Sequence, residues 1–304
     1  MVDMNKETHC EICNGENISV IYQGPIRDGA FGSTIEKSQI YKCNTCGISK
    51  VDESDSFEQK NYESSVYREE MGQGLSIDDF FNNADPIQIH HLDVFWPFSF
   101  RNKIVADVGC GAGSFIDHIS GLASEVIAIE PTKMYHDSLS DRGYKVFSYA
   151  NEAKTKFNNG VDIIVSFQVI EHVENPVEFL KEIYSLLKKG GKLILATPNH
   201  DDILMKLLPE SFPSFFYRRA HRWYFDEDSL SYCLQQSGFK NVDVKYKHTF
   251  GISNTLAWLR DKKPQGYIKL QGINPSADVL WKSYLEASKQ ADTLFVMEIG
   301  RAHV

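Results

Sequence analysis

The stretch Ala106-Asp107-Val108-Gly109-Cys110-Gly111-Ala112-Gly113 decides the fold. It opens inside a short apolar run, residues 104–108, and ends where a helix over residues 114–121 is expected. Glycine at alternate positions lets the backbone turn sharply and approach a ligand that a Cβ would hold off. A dinucleotide fingerprint has the form G-x-G-x-x-G. With Gly109 and Gly111 as its first two glycines, the third would fall on Ser114, so the spacing here is G-x-G-x-G instead.

Downstream, apolar runs alternate with amphipathic stretches. Strands are expected over residues 125–129, 145–148, 161–166, 192–196, 242–246 and 293–297. Helices are expected over residues 133–142, with Gly143 as its stop, and over 177–189, with Pro176 in its first turn and Gly190-Gly191 past its end. A further helix follows Asp226 and stops at Gly238. Such alternation implies a parallel sheet. Residues 197–225 are aromatic without a clear period, and residues 251–291, with Trp258 and Trp281 on expected helices, separate the last two strands.

Upstream, residues 56–100 read as a polar, aromatic connector, helical over 87–95 and ended by Pro97. Residues 1–55 hold strand-like runs at 18–22 and 38–41 around a turn-rich middle. They also hold Cys10-x-x-Cys13 and Cys43-x-x-Cys46, followed by Gly15 and Gly47. Each pair can supply two thiolates from one tight turn, and two pairs complete a four-thiolate zinc site. A full set of protein ligands leaves no open position, so this Zn2+ is expected to be structural, stapling a zinc ribbon too small to hold itself together. The alternative is free cysteines. Cys110 and Cys233 have no such spacing and read as packing residues.

The chain has 304 residues, 42% of them hydrophobic, and a formal net charge of −9, enough for one large core and a small satellite. The acidic balance counts against a nucleic-acid partner. No apolar run is long enough to span a membrane, and residues 1–7 contain no apolar signal region, so a cytoplasmic protein is expected. Residues 299–304 read as translated sequencing-adapter DNA and are set aside as a non-native tail. The domains expected are thus the ribbon at 1–55, the connector at 56–100, and a main domain at 101–298 with an insertion at about 250–291.

The glycine stretch, preceded by Asp107, resembles the first motif of class I S-adenosylmethionine-dependent methyltransferases. Three further segments extend the likeness in order. Phe167-Gln168-Val169-Ile170-Glu171-His172-Val173 is similar to a segment of members acting on small molecules. Residues 186–193 look like their L-L-K-P-G-G turn, with Lys189 where proline is usual. His221-Arg222-Trp223-Tyr224-Phe225, with Asp228-Ser229-Leu230 after it, is similar to their H-x-x-x-F-x-x-x-S-L stretch. The resemblance implies a Rossmann-like, seven-stranded, mostly parallel α/β sheet with helices on both faces. It implies that Asp107, Gly109, Gly111 and Gly113 surround the methionine part of the cofactor and that Glu130, at a strand end, holds the ribose. Gln168, with Phe167, would lie near the transferred methyl. The ribbon joined to such a domain resembles bacterial enzymes of polysaccharide and deoxysugar pathways.

Methyl transfer needs two positioned reactants and, for a hydroxyl or carbon acid, a base. His172 is the first candidate base, with Glu171 beside it; the other reading is that both brace their loop. His221 is the second, on an aromatic flap where it could equally be a packing residue. Arg218, Arg219 and Arg222 could clamp a phosphate or form a solvated basic face. The expected substrate is a sugar or nucleotide-sugar. The alternatives are an RNA methyltransferase that reads RNA through its ribbon, and a cofactor-binding protein without catalysis. The ribbon is about neutral and the motif residues are present, which disfavours both. Residues 251–291 are expected to cover the substrate or build a homodimer contact.

Overall fold

The structure is a computed structural model that describes residues 9–29, 33–64, 68–69, 76–94, 99–240 and 242–300. The described chain forms two compact units. Their members do not follow chain order. The first unit joins residues 1–57, 198–233 and 246–294, and the second joins 58–197, 234–245 and 295–304.

In the first unit β1 (Ile18–Arg27) and β2 (Thr34–Cys43) form an antiparallel hairpin, from Ile18 opposite Cys43 to Arg27 opposite Thr34. Both strands run well past the expected spans of 18–22 and 38–41. β3 (Ser49–Val51) pairs with β2, and β9 (Trp223–Tyr224) pairs with β3, giving the order β1-β2-β3-β9. The strand that carries Cys43 thus shares a sheet with a dipeptide of the aromatic segment. Ile26, Ile40 and Val51 from the hairpin side pack in one core with Phe212, Phe216, Tyr217, Tyr224, Trp258 and Leu285. The segment read as a flap is therefore core: Trp223, Tyr217 and Phe225 are among the largest fully buried side chains. It holds α6 (Ile203–Leu207) and α7 (Pro213–Phe216), both too short for sequence periodicity to register. The two expected tryptophan helices are α9 (Ile252–Asp261) and α10 (Pro275–Ala287).

The second unit is built on a seven-stranded, mostly parallel sheet flanked by helices, Rossmann-like as expected. Its strands are β4 (Ile104–Val108), β5 (Glu125–Ile129), β6 (Lys145–Phe147), β7 (Val161–Phe167), β8 (Leu187–Pro198), β10 (Asp243–Lys247) and β11 (Thr293–Gly300). Their order is β10-β11-β8-β7-β4-β5-β6. Parallel strands buried on both faces need continuous apolar runs, and Ile127, Ala128, Ile164, Val165, Leu193 and Ile194 are wholly buried.

Helix boundaries also depart from the sequence reading. The helix expected to start at 87 is α1 (Ile77–Val94), which runs straight through Pro86. Proline removes one helical N–H and crowds the preceding turn. Here packing of Phe80, Phe81 and Val94 onto the core holds the helix on both sides of it. The expected helix end at 95–97 lies outside the described residues. Helix α5 (Pro176–Leu186) stops three residues before the expected Lys189, because Leu187 already pairs with Val161. Gly190, at φ +74°, makes the irregularity that shifts the register before Lys192 meets Ile163. Of the suspected tail, Ile299 and Gly300 continue β11, and residues 301–304 lie outside the described residues.

Candidate active site

The glycine loop joins β4 to α2 (Ser114–Ile119) at the C-terminal edge of the sheet. Gly109, Gly111 and Gly113 all have positive φ, at +83°, +56° and +95°, a region that an L side chain rarely enters. Close neighbours add to this. A Cβ on Gly109 would stand 2.3 Å from Val169 Cγ2, and one on Gly111 would stand 2.5 Å from the Phe80 ring.

Glu130 follows β5 and is buried, yet both its oxygens have partners. The Gly111 N–H donates to Oε2 and the Thr132 N–H to Oε1, each at 2.8 Å. The carboxylate therefore fixes the glycine loop and keeps further lone pairs for other donors. Asp107 is entirely buried, and burial together with the Glu130 charge pushes its carboxyl up to about 8. Burial raises the Cys110 thiol well above its ordinary range, in keeping with a packing residue.

At the end of β7 the chain makes a forced turn. Gln168 sits at φ +55° and donates its N–H to the Ala196 carbonyl at 2.9 Å. A non-glycine residue held in this region is strain that surrounding structure must sustain, and such positions gather at functional sites. Phe167 stacks on His91, centroids 4.3 Å apart, and meets Phe115 edge-on at 5.1 Å. Glu171 is buried and accepts from Thr197 Oγ1 at 3.0 Å. His172 Nε2 lies 3.9 Å from Glu171 Oε1, and His172 Nδ1 lies 3.3 Å from Tyr62 Oη. Glu152, shortly after β6, accepts from the Ser148 N–H at 2.9 Å and so closes its own helix start.

Sequence reasoning missed the residues that cover this loop from outside the sheet. Arg68 lies over the Phe80 and Tyr135 rings, at 4.8 and 5.1 Å, and the Thr132 hydroxyl donates to the Tyr62 carbonyl at 2.7 Å. Only Thr132 had a signal, being two residues beyond the strand-end acid.

His221 belongs to the first unit, where it is buried, donates its N–H to the Arg218 carbonyl at 3.0 Å and lies 6.1 Å from the Tyr224 ring. Two of the three arginines read as a phosphate clamp have acidic partners. Arg219 pairs with Asp28 at 3.5 Å, and Arg222 pairs with Glu53 at 2.7 Å.

Also in the first unit, the four cysteine sulfurs of Cys10, Cys13, Cys43 and Cys46 lie within 4.8 Å of one another, with no disulfide. Cys10 and Cys46 Sγ are 3.8 Å apart, and Cys13 and Cys43 Sγ are 3.5 Å apart. A tetrahedron with metal–sulfur bonds of about 2.3 Å has edges of about 3.8 Å, so the spacing fits Zn2+. The Ile12 and Gly15 N–H groups each point at a sulfur at 3.4 Å, as a thiolate in a tight turn requires. The hydrogen bond between Cys10 and Cys46 lowers the Cys10 thiol and raises that of Cys46. The group is compatible with a zinc ribbon.

The chain belongs to the methyltransferase-domain family, whose signature matches residues 84–244. It is similar to the ubiquinone biosynthesis O-methyltransferase of Ruegeria sp. (strain TM1040), 26% identical over 165 residues that cover 48% of this chain and 64% of that protein. The protein of the same name from Ruegeria pomeroyi is 27% identical over 178 residues, covering 52% of this chain and 67% of the relative. In three dimensions the chain is similar to an S-adenosylmethionine-dependent methyltransferase from Archaeoglobus fulgidus. That likeness has a TM-score of 0.50 at 16% identity, covers 72% of this chain and 96% of the other, and speaks for the fold. Among the described residues, no helix is long and apolar enough to cross a membrane.

Proposed function

We propose that the protein transfers a methyl group from S-adenosylmethionine to a hydroxyl of a small molecule, with a sugar or nucleotide-sugar as the acceptor class. One observation carries the methyl-transfer part of the reading. A buried carboxylate, Glu130, is locked by two backbone N–H groups onto a loop of three positive-φ glycines, with Gln168 and His172 at the end of the neighbouring strand β7. Three glycines leave room for a ligand's chain close to the backbone, and the strand-end carboxylate suits a ribose diol. The cofactor supplies an electrophilic methyl on a sulfonium, whose departure needs no acid. The protein therefore has to position the acceptor and remove one proton. Glu130 would hold the ribose, Asp107 and the glycines the methionine end, and Gln168 with Phe167 the neighbourhood of the methyl. His172 would serve as base, braced by Glu171, with His221 the second candidate.

The names of the curated relatives favour oxygen as the acceptor atom and support a second reading, a hydroxyl of a ubiquinone precursor. Tritiated S-adenosylmethionine offered with nucleoside-diphosphate hexoses, catechols and RNA separates these classes. Label in the hexoses supports the proposal, label in catechols moves the acceptor to a phenol, and label in RNA alone overturns the small-molecule reading. His172→Ala should keep its cofactor affinity and lose turnover, since only the transition state needs the proton acceptor.

The cysteine group would hold one Zn2+ through Cys10, Cys13, Cys43 and Cys46. Its role would be to staple the sheet, because four protein sulfurs leave no position for a substrate.

A further inference from the structure

We propose that Tyr62 is a catalytic residue, the group through which the acceptor's proton reaches His172. The inference rests on the hydroxyl-methylation reading above. His172 has two ring nitrogens, and both face a neighbour. Glu171 Oε1 stands 3.9 Å from Nε2, and Tyr62 Oη stands 3.3 Å from Nδ1. A carboxylate beside Nε2 favours the tautomer with its hydrogen there. The Nδ1 lone pair is then the basic site, and the hydrogen bond on it comes from the Tyr62 phenol. An acceptor approaching His172 therefore meets the phenol first.

The Glu171 side chain is 1% exposed, and His172 and Tyr62 are both half-buried, with the Tyr62 ring 5.4 Å from the imidazole. The proton path would run from phenol to imidazole to the field of a buried carboxylate. As the acceptor oxygen bonds to the methyl carbon and the carbon–sulfur bond breaks, the acceptor's O–H proton passes to Tyr62 Oη. The phenol's own proton passes to His172 Nδ1. The imidazolium so formed faces Glu171, and the sulfur leaves as a neutral thioether.

The backbone of Tyr62 is also tied to the proposed cofactor loop. Thr132 donates its hydroxyl to the Tyr62 carbonyl at 2.7 Å and its N–H to Glu130 Oε1 at 2.8 Å. Next to Tyr62, Glu63 accepts a hydrogen bond from the Tyr149 hydroxyl. The proposed ribose holder and the proton path thus share one hydrogen-bonded strap.

Two measurements on the full chain test this. The first is nitrogen-15 NMR of histidine-labelled protein with S-adenosylhomocysteine bound, His172 being assigned by loss of its signal in His172→Gln. The parent should show the Nε2–H tautomer, and Tyr62→Phe should move the Nδ1 resonance, because its hydrogen bond is gone. This readout needs no acceptor, so it stands apart from failure of the substrate reading. The second is turnover with the acceptor class that takes label. Tyr62→Phe should lower kcat roughly a hundredfold, the scale of one general-base contribution, with KM for S-adenosylmethionine changed less than about twofold. An Nδ1–H tautomer in the parent, an unmoved Nδ1 resonance in Tyr62→Phe, or full kcat in that variant would overturn the proposal.

Discussion

Glu130 and Gly111 form one hydrogen-bonded unit at the scale of residues: the carboxylate holds the loop at Gly111, which presents no side chain. Glu130→Ala removes an ionised acceptor and should weaken S-adenosylmethionine binding roughly ten- to a hundredfold in calorimetric titration, the worth of one charged hydrogen bond. Gly111→Val should weaken it further, since the valine would stand at φ +56° against the Phe80 ring. Affinity equal to the parent in both variants would mean that the cofactor lies elsewhere. A second carboxylate makes a prediction about pH. Burial, aided by the Asp292 charge, raises Asp202 to about 8, above the ordinary value of 3.8. The folded state therefore holds this proton more tightly than the unfolded chain. The stability it contributes is full below the unfolded value and is lost as pH rises toward 8. Burial acts oppositely on His200, lowering it to about 4 from 6.5, so its contribution changes only below 6.5. Between pH 6.5 and 8 the slope from Asp202 is not offset by His200. Asp202→Asn keeps an oxygen for the Leu204 N–H, which the aspartate holds at 2.7 Å, and should lessen the slope of the urea-denaturation stability profile in that window, leaving the part that Asp107 contributes.

Elements show which readings were legible from sequence. The loop glycines, the strand-end Glu130 and the paired cysteines were legible because each depends on local spacing. Asp226 capping its helix was legible for the same reason: the Ser229 N–H donates to Asp226 Oδ1 at 2.9 Å. Tyr62, Phe80 and Arg68 were not, because what places them is packing on residues far along the chain. The turn at Gln168 was hidden too, since a positive φ in a non-glycine residue leaves no mark on composition. Helix α5 combines both cases. Its start was legible: the Asn175 side chain accepts from the N–H groups of Val177 and Glu178, at 2.9 and 3.1 Å, with Pro176 in the first turn. Its end was overruled by pairing of Leu187 with Val161. Asn175→Ala should cost about 1 kcal/mol in urea denaturation, the usual worth of an N-cap, with the sheet unchanged by circular dichroism.

Across the whole molecule, the cysteine group and the aromatic core stand in one unit, so metal removal should be felt well beyond the turns. Stripping the metal with a chelator, or Cys43→Ser, should loosen the β1–β2 hairpin. It should also alter the near-ultraviolet signals of Trp223 and Trp258, which belong to the same unit and are nearly fully buried. Elemental analysis should find one zinc per chain, and a metal-free protein with unchanged near-ultraviolet signals would remove the claim. The pairing of β3 with β9 also bears on how the chain is made. Lys50 finds its partner Trp223 only after the ribosome has added the residues between them. At about 5–20 residues per second that interval is roughly ten to thirty-five seconds. Throughout it Ile26, Ile40 and Val51 lack the aromatic side chains that later cover them, while both cysteine pairs have already emerged. Early capture of an ion by those pairs would hold the nascent hairpin in register throughout that interval.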